Sequence, residues 1–286
     1  MSRFLRSPSL FPARMSGEPW GAETVVVDLP GGPFRVSGLS DEQVASIGDR
    51  FPKRAATGDG YAIEVFRASP SDFLPVETKG WEYDLEIDGP AIVGMDLMAR
   101  VESDRAAIWT TVTSRDAFWG VVENVLRPLV ARRLLAEGGL LVHGAGAVFS
   151  DRGFLFCGPS GAGKSTIAGL AIAEGREVFS DDLNAIVGDS IVPLPFTGDL
   201  AAKELRSAPA RLHTIVALEK GSSDAIRPLS VPQTVSLLVR CSPYVNRDAA
   251  LGQTLLDRAV DVARTARGAV LTFRRDGDVC PILDSW

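Results

Sequence analysis

Up to Ser114 the chain is patterned in short extended runs. Tyr61–Arg67, Trp81–Ile87, Ala91–Val101 and Ala107–Val112 read as strands, separated by clusters of Gly, Pro, Asp and Ser. Glu23–Leu29 and Phe34–Ser37 are two further extended runs, broken by Pro30-Gly31-Gly32-Pro33. Asp41–Phe51 reads as a short helix with Ser40 as its N-cap. The period lengthens past Ser114. Phe118, Val121, Val122, Val125, Leu126, Leu129, Val130, Leu134 and Leu135 recur at helical spacing through Asp116–Glu137. Pro128 should kink or split that segment, and Gly138-Gly139 ends it.

From Leu140 strands and helices alternate. Leu140–Phe149, Gly153–Cys157 and Val178–Phe179 read as strands, and Lys164–Glu174 as a helix. Asn184–Val187 and Ser190–Val192 form a hairpin around Gly188-Asp189. Thr214–Leu218, Val235–Val239 and Ala269–Arg274 are further strands, and Ala249–Ala266 is an amphipathic helix. The expected organisation is a smaller β-rich domain over residues 1–115 and an α/β domain over 116–286.

Gly158-Pro159-Ser160-Gly161-Ala162-Gly163-Lys164-Ser165 fits G-x-x-x-x-G-K-[ST] in full. An apolar strand runs into it, and a helix continuing through Thr166 leaves it. Glycines permit backbone conformations and close approaches that a Cβ would block. Loop N–H groups and the helix N-terminus then converge on phosphate oxygens. Lys164 would supply charge to the β- and γ-phosphates, and Ser165 its hydroxyl to magnesium. ATP and Mg²⁺ are therefore the expected cofactors.

Ser180-Asp181-Asp182 follows one helix and one strand later. Of two adjacent carboxylates at a strand end, one can hold the metal and the other can orient or deprotonate an attacking hydroxyl. We assign Asp181 as base and Asp182, with Ser165, to the metal. The competing reading is an acidic turn. His143 lies at a strand–glycine break in Leu140–Val148, beside the expected phosphate site. A lone histidine in an apolar strand is more often a satisfied core residue, so both roles stand. His213 reads as structural. Pro193–Leu200 is a candidate substrate loop or a plain connector, and Arg240 a candidate phosphate contact or an ordinary exposed arginine.

The order His143-Gly144, glycine-rich loop, Asp181-Asp182 resembles the catalytic domain of bacterial HPr kinase/phosphorylase, itself similar in fold to ATP-dependent phosphoenolpyruvate carboxykinase. The resemblance covers roughly residues 138–200 and does not extend to the first half. It implies a P-loop nucleotide-binding domain of that type. It also implies that His143 lies near the transferred phosphoryl group, with one aspartate acting on a serine hydroxyl. Among HPr-kinase-related proteins it points to those that include peptide-tailoring kinases.

With 286 residues, 45% of them hydrophobic, the chain can bury a substantial core. A net charge of -6 argues against a nucleic-acid partner, which leaves a basic footprint. The lack of a long apolar run argues against a membrane span, and a cytoplasmic location is expected. Residues 1–15 carry Arg3, Arg6 and Arg14 without an acid, which slightly resembles a transit peptide; they lack the apolar core of a secretory signal, and the leading expectation is a mobile terminus. Cys157, Cys241 and Cys280 are too dispersed for a metal cluster and read as small buried hydrophobes. The leading expectation is an ATP- and Mg²⁺-dependent kinase for a Ser/Thr hydroxyl of a protein or peptide acceptor, recognised through residues 1–115. The alternative is a nucleotide-regulated binding module. Nothing in the sequence excludes a homo-oligomer.

Overall fold

The structure, a computed structural model, describes residues 2–11, 17–54, 60–75, 84–196, 198–200, 205–274 and 277–286. The chain is mixed α/β, with two multistranded sheets, and divides into compact units Met1–Leu129 and Val130–Trp286.

In the first unit β1 (Glu23–Val27), β2 (Phe34–Leu39), β3 (Lys53–Arg54), β4 (Tyr61–Arg67), β5 (Glu86–Asp88), β6 (Ala91–Gly94), β7 (Leu97–Val101) and β8 (Arg105–Thr110) form one sheet among the described residues. Its order is β3-β1-β2-β4-β8-β7-β6-β5. The middle strands β2, β4 and β8 are parallel, and the flanks are antiparallel. Alternation positions β4 as expected, with Tyr61, Ile63 and Val65 buried. Ala91–Val101 is a hairpin rather than one strand, because the chain turns at Met95-Asp96, where Asp96 adopts φ 51°. Of Trp81–Ile87, residues 81–83 lie outside the described residues.

Helix α1 (Asp41–Arg50) starts where Ser40 accepts from the Gln43 N–H and the Gln43 side chain returns a bond to the Ser40 N–H. The amino terminus is not loose over residues 2–11. Phe4 and Leu5 are buried with Phe73, Met98 and Trp109, and Leu5 bridges to Phe73. Burying those two side chains offsets the entropy of ordering the segment. Helix α2 (Phe118–Ala136) runs without a break through Pro128, and the division between units falls inside it at Leu129/Val130.

The second unit contains β9 (Leu140–Phe149), β10 (Arg152–Cys157), β11 (Val178–Ser180), β12 (Leu183–Val187), β13 (Ser190–Pro193), β14 (Ala210–Lys220), β15 (Ala225–Pro228) and β16 (Arg267–Phe273). Its helices are α3 (Lys164–Ala173), α4 (Val231–Arg240), α5 (Gly252–Thr265) and α6 (Cys280–Ser285). Strands β10, β14 and β16 run parallel through the centre. The long strands β9 and β14 each pair with three neighbours, β9 with β10, β11 and β12 and β14 with β10, β13 and β16, so the pairing β10-β9-β12-β13-β14 returns to β10. Strands β9 and β10 form a hairpin through Ser150-Asp151, both at positive φ (46° and 60°), as a tight two-residue turn requires.

Val235–Val239 is not a strand but part of α4. A short apolar run does not distinguish the two by itself. Here Ser230 and Gln233 form a capping box, Pro232 occupies the first turn, and Thr234, Val235, Leu237 and Leu238 bury one helical face. The helix expected at Ala249–Ala266 begins at Gly252, after a 3₁₀ turn at Ala249–Leu251.

Phe149, Phe154 and Phe156 centre the core of this unit. Phe154 stacks on Phe156 at 6.1 Å between ring centroids, and Phe149 meets both edge-on at 5.5 and 6.0 Å. Phe156 is fully buried one residue before Cys157. Phe156→Ala should therefore cost about 3–5 kcal/mol, read as a lower urea midpoint. A loss below about 1 kcal/mol would contradict this packing.

Candidate functional site

Strand β10 ends at Cys157, the chain loops through Gly158–Gly163, and α3 begins at Lys164. Gly163 takes φ 108°, in the left-handed region, and a Cβ there would lie 2.6 Å from the Phe273 ring. Backbone conformation and close approach both exclude a side chain at this position. The loop lies at the carboxyl ends of parallel strands, where open α/β sheets place ligands. A cavity of about 440 Å³ opens beside it, lined by Gly161, Gly163, Thr166, Lys220, Gly221 and Phe273. Pro159, Ser160, Ser165 and Thr166 are exposed, whereas Gly158 is buried and Ala162 half-buried.

Lys164 is only 8% exposed. Its Nζ donates to the carbonyl oxygens of Gly158 and Pro159 at 3.2 and 3.3 Å. No carboxylate pairs with it among the described residues. A buried ammonium held only by neutral carbonyls retains most of its attraction for an anion.

The aspartates sit on an interrupted strand. β11 pairs with β9 up to Ser180↔Gly146, and β12 resumes on the same strand at Leu183↔His143. The chain bends at Asp181-Asp182 between them, which frees adjacent side chains from opposite faces of a regular strand. The bend is held by the Gly144 N–H donating to Asp182 O (2.9 Å) and the Asp182 N–H donating to Ser180 Oγ (3.1 Å).

The two carboxylates have different company. Asp181, 4% exposed, accepts from Ser165 Oγ at 3.0 Å and from the Leu200 N–H at 3.4 Å. It has no cationic partner among the described residues. Asp182 Oδ1 lies 3.3 Å from His143 Nε2, with both side chains partly exposed. The sequence assignment joined Ser165 to Asp182, but the carboxylate that accepts from its hydroxyl is Asp181. His143 is not a core residue: its backbone N–H donates to Cys241 O at 2.7 Å, and its half-exposed ring faces Asp182.

The stretch Pro193–Leu200 reaches this site. Asp199 Oδ2 accepts from Ser165 Oγ at 3.1 Å, and a Cβ on Gly198 would overlap Asp181 Oδ1. Thr197 lies outside the described residues. Asp199 lies within the candidate loop Pro193–Leu200, but its place beside Ser165 carried no sequence signal because it belongs to no motif. Asn184 escaped for the same reason. It is fully buried and its Nδ2 donates to Gly144 O at 2.7 Å, anchoring the glycine next to His143. Arg240 instead ends a helix, exposed, with Nε donating back to Ser236 O. His213 exchanges a hydrogen bond with Thr214 Oγ1 at 2.8 Å. Burial first, then Arg152, Arg267 and Arg211, hold its imidazole below the usual range.

Ser165 Oγ lies within hydrogen-bond reach of a carboxylate oxygen of both Asp181 and Asp199, which gathers hard oxygen atoms around one point. Among the described residues no three His, Cys, Asp or Glu side chains converge to hold a metal by themselves. Magnesium bound with a phosphate needs only one or two carboxylates and keeps water. The donor set suits that ion. No helix among the described residues is long and apolar enough to cross a membrane. No known family model matches the chain. No curated protein is significantly similar to it.

Removing the buried cation should relieve desolvation. Lys164→Met keeps the stem and deletes the charge, so its melting temperature should equal or exceed that of the parent. A clear drop would mean that the two carbonyl bonds outweigh the penalty.

Proposed function

We propose that the second unit is a P-loop kinase of the HPr kinase/carboxykinase type, transferring the γ-phosphoryl group of ATP to a Ser or Thr hydroxyl of a protein or peptide. The observation that carries this reading is a pair of buried, opposite and mutually unpaired charges, Lys164 and Asp181, on either side of Ser165. Lys164 seeks an anion and Asp181 a cation. A magnesium–phosphate unit satisfies both.

In this reading Lys164 turns from the Gly158 and Pro159 carbonyls to the β- and γ-phosphates, and the N–H groups opening α3 bind their oxygens. Asp181 and Ser165 hold the metal, with Asp199 within reach. Bound there, Mg²⁺ supplies neutralisation of the charge on the transferred group and the leaving oxygen. The cavity beside Thr166, Lys220 and Phe273 accommodates the nucleoside. Asp182 is the base. It takes the proton of the acceptor hydroxyl as that oxygen bonds to the γ-phosphorus and the bond to the β,γ-bridging oxygen breaks. His143 fixes the orientation of the Asp182 carboxylate. The roles of the two aspartates are thus the reverse of those assigned from sequence. The first unit, without a phosphate-binding motif, is the part we assign to acceptor recognition.

The test pairs two substitutions with calorimetry and γ-³²P transfer to the proteins and peptides encoded beside this gene. Asp181→Asn should weaken Mg-ATP binding about tenfold or more, since a contact to a charged group contributes about 1.5–3 kcal/mol. Asp182→Asn should retain Mg-ATP affinity and lose transfer by about 10²-fold or more. Full transfer activity in both variants would overturn the mechanism. Tight Mg-ATP binding by the parent with no labelled acceptor would favour the binding module.

A further inference from the structure

Two thiols meet beneath the glycine-rich loop. Cys157 is the last residue of β10, fully buried, immediately before Gly158. Cys241 caps the C-terminus of α4 and is partly exposed. The two thiols are close enough to perturb one another and the Gly158 N–H acts on Cys241, while the hydrogen bond that Cys157 Sγ donates goes to the Leu155 carbonyl at 3.9 Å. Cys241 is fixed from the other side by the His143 N–H, which donates to its carbonyl, while Gly144 pairs with Cys157 across the β9–β10 ladder. The sequence spacing gives no hint of this: 157 and 241 share no motif, and only the return of α4 onto the sheet joins them.

The two thiols differ in chemistry. The neighbouring Cys157 thiol, the Gly158 N–H and the charges of Arg240 and Lys164 bring the Cys241 thiol down to about 7. The neighbouring Cys241, together with complete burial, pushes the Cys157 thiol well up. A partly exposed, more acidic thiol beside a buried, less acidic one is the arrangement of an attacking and a resolving cysteine.

We propose that Cys241 is an oxidant-sensitive thiol, that Cys157 is its resolving partner, and that their disulfide closes at the root of the glycine-rich loop. The co-reactant is a hydroperoxide. Cys241 thiolate attacks the peroxide, forming an S–O bond as the O–O bond breaks; hydroxide leaves and takes up the proton of Cys157. Cys157 Sγ then attacks Cys241 Sγ, the S–S bond forms, and the S–O bond breaks with loss of water after protonation. Two thiols and one hydrogen peroxide give one disulfide and two waters. The bond ties the strand end that leads into the loop to the end of α4 and converts the thiolate that accepts from the Gly158 N–H into a neutral disulfide sulfur. The loop loses its reduced geometry, and with it its anion affinity.

The experiment uses the full chain, treated with hydrogen peroxide and digested without reduction. Mass spectrometry should find a Cys157–Cys241 cross-linked peptide that dithiothreitol removes. Cys157→Ser should stop at a Cys241 sulfenic acid trapped by dimedone, and Cys241→Ser should yield no cross-link, whereas Cys280→Ser should behave as the parent. In the untreated parent, iodoacetamide should label Cys241 at least about fivefold faster than Cys280 at pH 7, because a larger thiolate fraction outweighs its lower nucleophilicity. That rate should rise with pH through about 7 rather than 9.0. Oxidation of Cys280 before Cys241, or Cys241 oxidised without a cross-link in the parent, overturns the proposal. These readouts need no nucleotide, so they stand or fall apart from the kinase reading.

Discussion

Lys164 and Asp181 hold opposite charges in the interior of the second unit, and neither has an ionic partner among the described residues. Each buried ion carries an effective desolvation penalty of several kcal/mol, against a total stability of about 5–15 kcal/mol for a domain. The surrounding structure must absorb that penalty. The aromatic core of Phe149, Phe154 and Phe156 and the parallel strands β10, β14 and β16 lie directly behind the loop. The local arrangement is also restrained. Two carbonyls hold the ammonium, while a hydroxyl and an amide hold the carboxylate. In the proposed reading such a site is pre-organised for a dipolar guest rather than for its own stability, the trade that functional sites commonly make.

Strand β9 connects these parts. Along one strand it carries His143, the glycine that pairs with Cys157, and the partner residues of both β11 and β12. The gap between those two strands contains the aspartates. Two carboxylates adjacent in sequence thereby acquire separate environments. One is buried against Ser165, and the other is half in solvent against an imidazole. The separate environments of the carboxylate pair follow from where the ladder breaks, not from any difference in residue type.

The parts of this site that lie on contiguous sequence were legible. The glycine-rich loop, its flanking strand and helix, and the aspartates carry local signals: glycine spacing, an apolar run, paired acids. The capping box at Ser40 was equally local. What could not be read depended on distant chain segments. Asp199, Asn184 and the Cys157–Cys241 contact arise only when loops and α4 return to the sheet. Which aspartate meets Ser165 is decided by a break in strand pairing that no propensity encodes. Val235–Val239 was misread because five residues cannot display a helical period, and its capping residues were not weighed with it. Over residues 2–11 the expectation of a mobile terminus rested on position in the chain, whereas Phe4 and Leu5 are buried against Phe73, Met98 and Trp109, which come much later in sequence.

The two-residue turn at Ser150-Asp151 sits at the opposite end of the β9–β10 ladder from the site. Between Phe149↔Arg152 and Gly144↔Cys157 the ladder is unbroken, so turn length alone meters where His143 falls relative to the loop. That distance is roughly 17 Å at about 3.4 Å per residue. One residue inserted into the turn, if absorbed as a slip of β9, would rotate the imidazole onto the other face of the sheet and carry the glycine away from Cys157. The hairpin thus acts as a ruler. Its remote tip, exposed and tied through Ser150 Oγ to Asp284, is the place where a length change would displace the site without touching any residue in it.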